Sequence, residues 1–345
     1  MLISVGILAH NEASDIGNLI RDLGSQSLLL NESLAIEIHV VANGCTDATV
    51  SVSRDALASQ TFQRRHVSTF VHSVPRAGKS NAWNELIHKF TSPNTEIVFL
   101  LDADIRIPEE TTFQLMLDRL IQAQNASIAV DESVKDLSLE AHKSIIESLI
   151  LAASGTSHDT RTAIAGALYC ARFEILKRIW MPIGLPGEDG FLRAVILTSN
   201  FTEDENLDHL VFVEGTRHIF ESERRIRDVF RHNIRLAIGT AINVLLFRHL
   251  RQILSHNKNI AEYIKDRNAA DQNWVNTLVA DEIKSGKYFL IHSGFVFKRL
   301  RRLSSFPFLV QLRKAPIFLM GFVFDVAIFF RANYLMRRGA GAGYW

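Results

Sequence analysis

Two aspartates one residue apart, Asp102 and Asp104, directly follow the apolar run Val98–Leu101. The run predicts a buried strand, and side-chain alternation along a strand places both carboxylates on one side. Neighbouring anions repel each other unless a cation lies between them, and Mg²⁺ and Mn²⁺ prefer carboxylate oxygens. The spacing therefore predicts a metal site, with a phosphate-bearing ligand nearby. A strand-end turn is the structural alternative, because Pro108 suits the start of the next helix.

Four strand–helix units in succession must position this pair. Strands are predicted at residues 2–9, 35–42, 67–74 and 98–101, each followed by apolar residues at helical spacing. Such alternation predicts an α/β fold with a mostly parallel sheet, helices on both faces and ligands beyond the carboxyl ends of the strands. The sequence contains neither Gly-x-Gly-x-x-Gly after the first strand nor a P-loop, which argues against oxidoreductases and P-loop enzymes.

The amino-acid composition further limits the classes of protein to which the chain can belong. The 345 residues are 47% hydrophobic, enough for one large domain with an extension or for two domains. A net charge of +1 argues against nucleic-acid binding by bulk electrostatics. Two cysteines, Cys45 and Cys170, argue against a disulfide framework and indicate a reducing compartment. The N-terminal run Met1–Ala9 is predicted to be a strand and not a signal peptide.

The polar residues at the four strand ends resemble the motifs of the family 2 glycosyltransferases. In chain order they are Ala9-His-Asn-Glu12, Asn43-Gly-Cys-Thr-Asp47, Gly78-Lys-Ser-Asn-Ala-Trp-Asn84 and Asp102-Ala-Asp104. The resemblance covers about residues 2–240. It implies the Rossmann-like GT-A fold, an inverting reaction and a nucleotide-diphosphate sugar as donor. It also implies a downstream acidic pair, which Glu188-Asp189 supplies, and a segment lining the cleft, which Ala165–Arg172 supplies.

The resemblance assigns the chemical roles. Asp189 takes the proton of the acceptor as general base, and Glu188 orients the neighbouring loop or the acceptor. Asp104 holds Mn²⁺ or Mg²⁺, and Asp102 faces the ribose or the metal. An aspartate at its ordinary pKa is a weak base, so the site has to hold it close to the acceptor in a desolvated cleft. A surface turn is the structural alternative for the acidic pair.

Further residues are implied by the same resemblance. Those that contact the nucleotide sugar are Ala9, Asn11, Glu12, Asn43, Lys79, Asp102 and Ala103. Many relatives carry an aspartate in place of Asn43, which leaves the choice of base open. Lys79 has an exposed surface lysine as its alternative. His218, after a predicted strand at Leu210–Val213, completes the metal site, with a buried structural histidine as the alternative. The Gln-x-x-Arg-Trp motif of processive relatives is absent after Glu223, which predicts transfer of a single sugar.

The C-terminal third changes in composition. A GT-A catalytic domain is predicted at residues 1–240 and a helical extension at residues 241–345, with a long helix over 226–254. Phenylalanines interleave with the basic segments Lys298–Arg302 and Arg337-Arg338, which is typical of a helix lying on an anionic membrane. The apolar run Ala315–Phe330 contains Asp325 and is shorter than the ~20 residues of a membrane span. The prediction is an interfacial or re-entrant anchor that makes the protein peripheral at the cytoplasmic, inner face of the cell membrane. A hairpin docked on the catalytic domain or on a partner in a homodimer is the alternative.

These features predict transfer of one sugar to a lipid-linked or surface-glycan acceptor, in the biosynthesis of cell-envelope glycans. A sugar nucleotidyltransferase is the alternative enzyme, but His10-Asn-Glu12 replaces the glycine-rich, basic first loop of that class. A non-catalytic scaffold would not need to retain both Asp102-x-Asp104 and Glu188-Asp189. Residues 126–166 shape the specificity but carry no motif that identifies the sugar or the acceptor.

Overall fold

The computed structural model of the protein describes residues 1–144, 147–148, 151, 160–256 and 258–339. Within these residues eight strands form one sheet: β1 (Leu2–Ala9), β2 (Ala35–Asn43), β3 (Val67–Val74), β4 (Ile97–Asp102), β5 (Ile105–Arg106), β6 (Ile128–Lys135), β7 (Leu168–Arg172) and β8 (Leu210–Phe220). Their order across the sheet is β3-β2-β1-β4-β7-β6-β8-β5. The helices are α1 (Ile16–Gly24), α2 (Thr49–Leu57), α3 (Lys79–Glu85), α4 (Thr112–Gln122), α5 (Asp136–Leu139), α6 (Phe173–Leu176), α7 (Glu188–Leu197), α8 (Ile226–Ser255), α9 (Ile260–Ala270), α10 (Trp274–Lys284), α11 (Gly294–Ser304) and α12 (Phe308–Arg337).

The parallel half of the sheet carries the first four predicted strands, all of which are confirmed. β3, β2, β1 and β4 run parallel in that spatial order, with Leu8 opposite both Val41 and Asp102. The other half is mixed, because β7 is antiparallel to β4 and β6 is antiparallel to β7. The carboxyl ends of β1, β2 and β4 therefore meet at one edge, as the predicted fold requires.

Both faces of the sheet are covered. Ile3, Val5 and Ile7 of β1 are fully buried in the layer that contains α1 and α4. On the opposite face Gly6 lets α3 approach closely, because a Cβ atom there would lie 2.1 Å from Cδ2 of Leu86 in the π-helical turn that follows α3. Burial of apolar side chains on both faces stabilises the sheet and fixes the position of α3, which begins at the edge where the strands end.

β8 is longer than the predicted strand Leu210–Val213. It continues to Phe220 through Gly215, whose φ of +81° suits glycine, and its pairing with β6 shifts register between Val130 and Glu132. The bulge lets the strand continue past the point where the apolar pattern ends. His218 consequently lies within the sheet, opposite Ser133, and not in a loop after the strand.

The C-terminal helices pack beside the sheet. The predicted long helix is confirmed as α8, Ile226–Ser255. The boundary placed after residue 240 stays a prediction and falls inside this helix. α11 and α12 form an antiparallel hairpin, and the ring of Phe324 in α12 lies 5.5 Å from that of Phe230 in α8. Among the described residues, one helix, α12, is long enough and apolar enough to cross a membrane. Buried core helices of other proteins share this property.

Candidate active site

Asn43, at the end of β2, ties three strand-end loops together. Its Nδ2 donates to the carbonyl oxygen of Ala9 at 2.8 Å, and its Oδ1 accepts from the backbone N–H of Gly78 at 2.9 Å. The side chain is 1% exposed. Both polar atoms thus bind backbone groups, so Asn43 holds the first and third loops in register. Its contact with the nucleotide stays a prediction.

The first loop is shaped by Asn11, which adopts a left-handed conformation with φ +58°. Its Oδ1 accepts from the backbone N–H of Thr46 at 2.8 Å, which joins the loops after β1 and β2. Asparagine tolerates this conformation better than most residues because its short side chain bonds locally. The backbone N–H of Glu12 donates to Oγ1 of Thr49 at 2.9 Å, which fixes the position of this carboxylate.

Glu12 lies among other carboxylates. Burial, followed by the negative charges of Asp104 and Asp15, raises the pKa of Glu12 from its ordinary value to about 7. Asp102 acts on it in the same direction. The first strand end therefore faces the Asp102-Ala103-Asp104 motif. This crowding of negative charge is the environment that attracts a cation.

Lys79 joins the two predicted halves of the site. Its Nζ lies 2.7 Å from Oδ2 of Asp102 and 3.1 Å from Oε1 of Glu188. The three side chains are between 15% and 24% exposed, so Lys79 is not an exposed surface lysine. It starts α3, while Asp102 ends β4 and Glu188 starts α7. A single cation therefore brings the acidic pair of α7 to the strand end that carries the other acidic pair.

The charges around Lys79 separate the pKa values of the carboxyl groups. Burial raises the pKa of Asp102 to about 6, although Lys79 acts against this shift. Burial also opposes ionisation of Glu188, but Lys79 and a hydrogen bond with Asp189 outweigh it and hold the pKa of Glu188 below its ordinary value. Burial and the charge of Glu188 raise the pKa of Asp189. Glu188 thus carries the negative charge of the pair, and Asp189 is the better proton acceptor.

The carboxyl group of Asp189 lies against the backbone of Gly166, a residue without a side chain. A Cβ atom at Gly166 would lie 1.9 Å from Oδ1 of Asp189, so only glycine leaves room for this carboxyl group. Gly166 precedes β7 in the segment predicted to line the cleft, and the backbone N–H of Asp102 donates to the adjacent Ala167 carbonyl at 3.0 Å. The segment just before β7 therefore contacts both acidic pairs, through Asp189 and Asp102.

The loop that begins α7 is held by α8. Nδ2 of Asn243 donates to the carbonyl oxygen of Gly187 at 2.7 Å, and Gly187 has a φ of +93°. A Cβ atom at Gly239 would lie 2.5 Å from the carbonyl oxygen of Pro186, so α8 touches this loop backbone to backbone. The amide and the glycine fix the first turn of α7, where the helix dipole favours a carboxylate such as Glu188.

A divalent cation fits one part of this site. Asp104 is exposed and acts electrostatically on Glu12, while Asp102 has one oxygen on Lys79 and can offer the other. No group of three histidine, cysteine or acidic side chains is arranged to hold a metal among the described residues. Mg²⁺ commonly binds one or two carboxylates and completes its shell with substrate phosphates and water. The donor set fits a cation that arrives with a diphosphate.

His218 does not join this set. It is fully buried, and its Nδ1 lies 2.8 Å from Oδ2 of Asp131, which is also buried. The reason is the extension of β8, which places His218 opposite β6 within the sheet. The structure therefore brings together Asp102, Asp104 and Glu12 but pairs His218 with Asp131.

Sequence reasoning missed four contributors to the site. They are the bridging role of Lys79 and the positioning roles of Gly166, Gly239 and Asn243. Asn243 carried a signal, since it is a polar residue inside the nearly apolar run 236–247. The remaining three depend on approaches between distant segments, which no local pattern encodes.

Comparisons with known proteins concern the family and the fold. Residues 4–167 match the model of the family described as glycosyl transferase family 2. No curated protein matches the chain. Three solved structures that are similar to it come from three organisms and differ in how much of the chain they cover.

The mannosyltransferase PcManGT from Pyrobaculum calidifontis, in complex with GDP-Man and Mn²⁺, is 15% identical, with 97% of this chain and 86% of that chain covered and a TM-score of 0.54. TarS of S. aureus is 15% identical, with 98% and 92% covered and a TM-score of 0.48. Glucosyl-3-phosphoglycerate synthase from Mycobacterium tuberculosis, in complex with Mn²⁺, UDP-Glc and phosphoglyceric acid, is 19% identical, with 70% and 77% covered and a TM-score of 0.45. The similarity to the first of the three, at a TM-score of 0.54, shows the fold alone and confirms the predicted GT-A-like α/β fold with its C-terminal helical region.

Proposed function

We propose a reaction for this chain from one premise, which is that it belongs to glycosyl transferase family 2 through residues 4–167 and is a glycosyltransferase that uses nucleotide sugars. The reaction is transfer of a single sugar from a nucleotide-diphosphate sugar to an acceptor hydroxyl, with inversion at the anomeric carbon. The supporting observation is the Lys79 bridge, with 2.7 Å to Asp102 and 3.1 Å to Glu188. It joins the acidic pair that faces the donor to the acidic pair that faces the acceptor.

The acceptor oxygen attacks the anomeric carbon and transfers its proton to Asp189. The bond between the anomeric carbon and the diphosphate oxygen breaks, and its electron pair leaves with the diphosphate. Burial and the charge of Glu188 raise the pKa of Asp189, which makes this carboxylate a stronger base than an ordinary aspartate. Gly166 and the first turn of α7 hold the base in place, so that proximity adds to basicity.

A divalent cation, Mn²⁺ or Mg²⁺, held by Asp104 with Asp102, would neutralise the charge that develops on the leaving diphosphate. Lys79 keeps the carboxylate of Asp102 at the strand end and balances the charge of Glu188. Glu12 and the backbone of Ala9 and Asn11 are proposed to bind the nucleoside portion. Ala103 is 2% exposed, and its backbone N–H donates to the carbonyl oxygen of Leu8, so any contact with the donor is made by its backbone.

The acceptor is proposed to be a lipid-linked or surface-glycan hydroxyl at the cytoplasmic face of the cell membrane. Support comes from the C-terminal hairpin, where α12 keeps large apolar side chains exposed along its length, among them Leu309, Val323 and Phe330. An enzyme that acts on such an acceptor needs contact with the surface that carries it.

The test is an assay of nucleoside diphosphate release with Mn²⁺ present. GDP-mannose, which the P. calidifontis structure holds, is the first donor to try, with UDP-glucose beside it. We expect Asp104→Ala to lose Mn²⁺-dependent donor binding and Asp189→Asn to bind donor but turn over about 1,000-fold more slowly. Asp55→Asn, an exposed aspartate of α2, is the matched control.

Unchanged turnover in Asp189→Asn would contradict the assignment of the base. Donor binding in Asp104→Ala that still depends on Mn²⁺ would contradict the assignment of the metal ligand. Release of pyrophosphate in place of nucleoside diphosphate would identify a nucleotidyltransferase instead.

A further inference from the structure

We propose that the α11–α12 hairpin is a membrane-docking surface that lies on an anionic phospholipid bilayer without crossing it. The inference deepens the proposed function, on which its purpose rests, by naming the surface, the lipid charge and the orientation of contact. The docking surface is defined by the exposed residues of α11, the connecting turn and α12, residues 294–337.

The first observation is an apolar stripe on one side of α12. Its most exposed large side chains are Phe308 at 70%, Leu309 at 79%, Leu312 at 58%, Met320 at 56%, Val323 at 66% and Phe330 at 57%. Apart from the adjacent Phe308 and Leu309, they recur at three to four residues or multiples of that spacing, so they share one face of a helix about 45 Å long. An exposed apolar face of this length marks an interaction site, because water is a poor solvent for it.

The second observation is the opposite side of the same helix. Ile328, Phe329, Ala332 and Met336 are buried, and they belong to the same core as α8. A helix that spans a bilayer alone would have to expose these contacts to lipid. The C-terminal half of α12 is therefore fixed against the protein, and the membrane contact is made along the exposed side of the helix.

The third observation concerns the acid inside the apolar run. Asp325 is fully buried, and Nε of Arg299 in α11 donates to its Oδ2 at 2.7 Å. A Cβ atom at Gly321 would lie 2.8 Å from Cδ of Arg299, so the glycine lets the arginine cross α12 to reach the acid. The pair neutralises Asp325 and locks the two helices together. Asp325 consequently adds no exposed negative charge to the docking surface.

The fourth observation identifies the partner by charge. Residues 294–339 contain nine lysines and arginines and one acid, Asp325, whereas the rest of the chain contains 29 lysines and arginines and 36 acids. On α11 the exposed face carries Lys298, Arg301 and Arg302 beside Phe297, and Arg313 is exposed on the first turns of α12. A basic rim around apolar side chains complements anionic lipid headgroups. A neutral apolar partner or a second copy of this basic face would leave these charges unpaired.

The docking surface is connected to the candidate active site through α8. Phe230 of α8 contacts Phe324 of the hairpin, and Asn243 of the same helix holds Gly187 in front of Glu188 and Asp189. Seating the hairpin on a bilayer would therefore place the acidic pair at a fixed height above the lipid, where a lipid-linked acceptor presents its head.

The experiment is co-sedimentation of the full-length protein with vesicles of phosphatidylcholine alone or with roughly one third phosphatidylglycerol. We expect binding to the anionic vesicles that weakens as salt is raised. Arg301→Gln with Arg302→Gln and Arg313→Gln should weaken binding at least about tenfold, since each basic residue near the surface contributes. Phe308→Ser with Leu309→Ser should reduce it to a similar degree by removing the inserted side chains.

Matched controls come from the catalytic domain. Arg65→Gln with Lys177→Gln and Arg178→Gln removes the same charge, and Leu30→Ser with Leu139→Ser removes exposed leucines. These variants should bind like the wild type. Circular dichroism of every variant separates loss of binding from loss of fold.

Three results would overturn the proposal. The first is wild-type protein that does not bind anionic vesicles, and the second is unchanged binding in both hairpin variants. The third is bound protein that resists alkaline carbonate extraction, which indicates a helix that crosses the membrane. A dimer in light scattering that dissociates in Phe308→Ser with Leu309→Ser would assign the surface to a second copy of the chain. Because the vesicle assay contains no donor, failure of sugar transfer with intact binding counts against the proposed function alone.

Discussion

The candidate active site and the C-terminal hairpin each contain a buried cation–carboxylate pair, but the two pairs differ in their surroundings. Lys79 in the site faces Asp102 and Glu188, with Asp189 and Asp104 close by, so negative charge exceeds positive charge there. In the hairpin Asp325 is outnumbered by Arg299 and Lys298, and the surrounding surface is basic. An excess of carboxylates attracts a cation and its phosphate ligand, whereas an excess of basic residues attracts an anionic surface.

The difference teaches that ion pairing serves separate purposes in the two regions. In the site the lysine leaves carboxyl groups unneutralised, which separates their pKa values and prepares one as a base. In the hairpin the arginine neutralises the only acid, which permits contact with an apolar phase. Four substitutions test this contrast, in order of decreasing effect.

Removing the cation of the site has the largest expected effect. Lys79→Met leaves Asp102 and Glu188 mutually repelling in a partly buried pocket, which is expected to reduce the free energy of unfolding by about 3 kcal/mol and donor turnover by about 100-fold or more. Urea unfolding and the nucleoside diphosphate assay measure the two losses. Lys89→Met, in an exposed pair with Glu85, should change neither. Full activity in Lys79→Met would show that the bridge is not needed.

Removing the acid of the hairpin affects stability more than chemistry. Asp325→Ala leaves Arg299 without its partner and is expected to reduce the free energy of unfolding by about 3 kcal/mol, mostly by loosening residues 294–337. Hydrogen exchange of these amides should accelerate, while donor turnover, measured as release of nucleoside diphosphate, falls less than in Lys79→Met. Asp281→Ala, in an exposed pair with Lys284, is the control. If donor turnover fell as far as in Lys79→Met, the ion pair of the hairpin would not serve a purpose separate from that of the active site.

Crowding the base acts on chemistry more than on stability. Gly166→Ala places a methyl group where Oδ1 of Asp189 lies, and the displaced carboxylate is expected to lower kcat by about 100-fold with a smaller change in donor KM. Steady-state kinetics decide this. The comparison variant is Gly17→Ala, where the added Cβ would meet Val52 at an ordinary 3.5 Å. A normal kcat in Gly166→Ala would mean that Asp189 is not held against this backbone during turnover.

Acid is expected to weaken the sheet and spare the hairpin. Burial lowers the pKa of both His39 and His72 to about 4, and the ring nitrogens Nδ1 of His39 and Nε2 of His72 are 3.0 Å apart. Below the ordinary pKa of 6.5 these histidines take up protons in the unfolded chain but not in the folded chain. Their contribution to the free energy of unfolding is therefore fully present above pH 6.5 and is lost as the pH falls towards 4. His39 alone should remove about 2 kcal/mol at pH 5.

Thermal unfolding between pH 7 and pH 4 tests this expectation. His39→Gln should flatten the dependence on pH, because it removes the group that takes up the proton. Residues 294–339 contain no histidine, so hydrogen exchange there should follow the sheet and not precede it. Earlier loss of protection in the hairpin would contradict the assignment of the acid-sensitive region.

Much of the catalytic half was predictable because its information is local. The four strand-end motifs resemble family 2, whose model matches residues 4–167, and the α/β fold and the long helix α8 are confirmed. Strands alternate side chains and parallel strands share one end, so Asp102 and Glu12 had to meet once the strands were recognised. His218 shows where this reasoning stops, since a bulge opposite Val130 and Glu132 carried β8 past the end of its apolar pattern.

What the sequence by itself determined is the order of the motifs, the types of their side chains and the charge imbalance between residues 294–339 and the rest of the chain. Only the tertiary structure decided that Lys79 bridges Asp102 to Glu188, that Gly166 makes room for Asp189 and that Arg299 neutralises Asp325. These contacts join segments separated by 23 to 109 residues, and each depends on how closely two backbones approach. The type of each side chain is given directly by the local sequence, whereas the close approach of two backbone segments depends on the packing of the whole core.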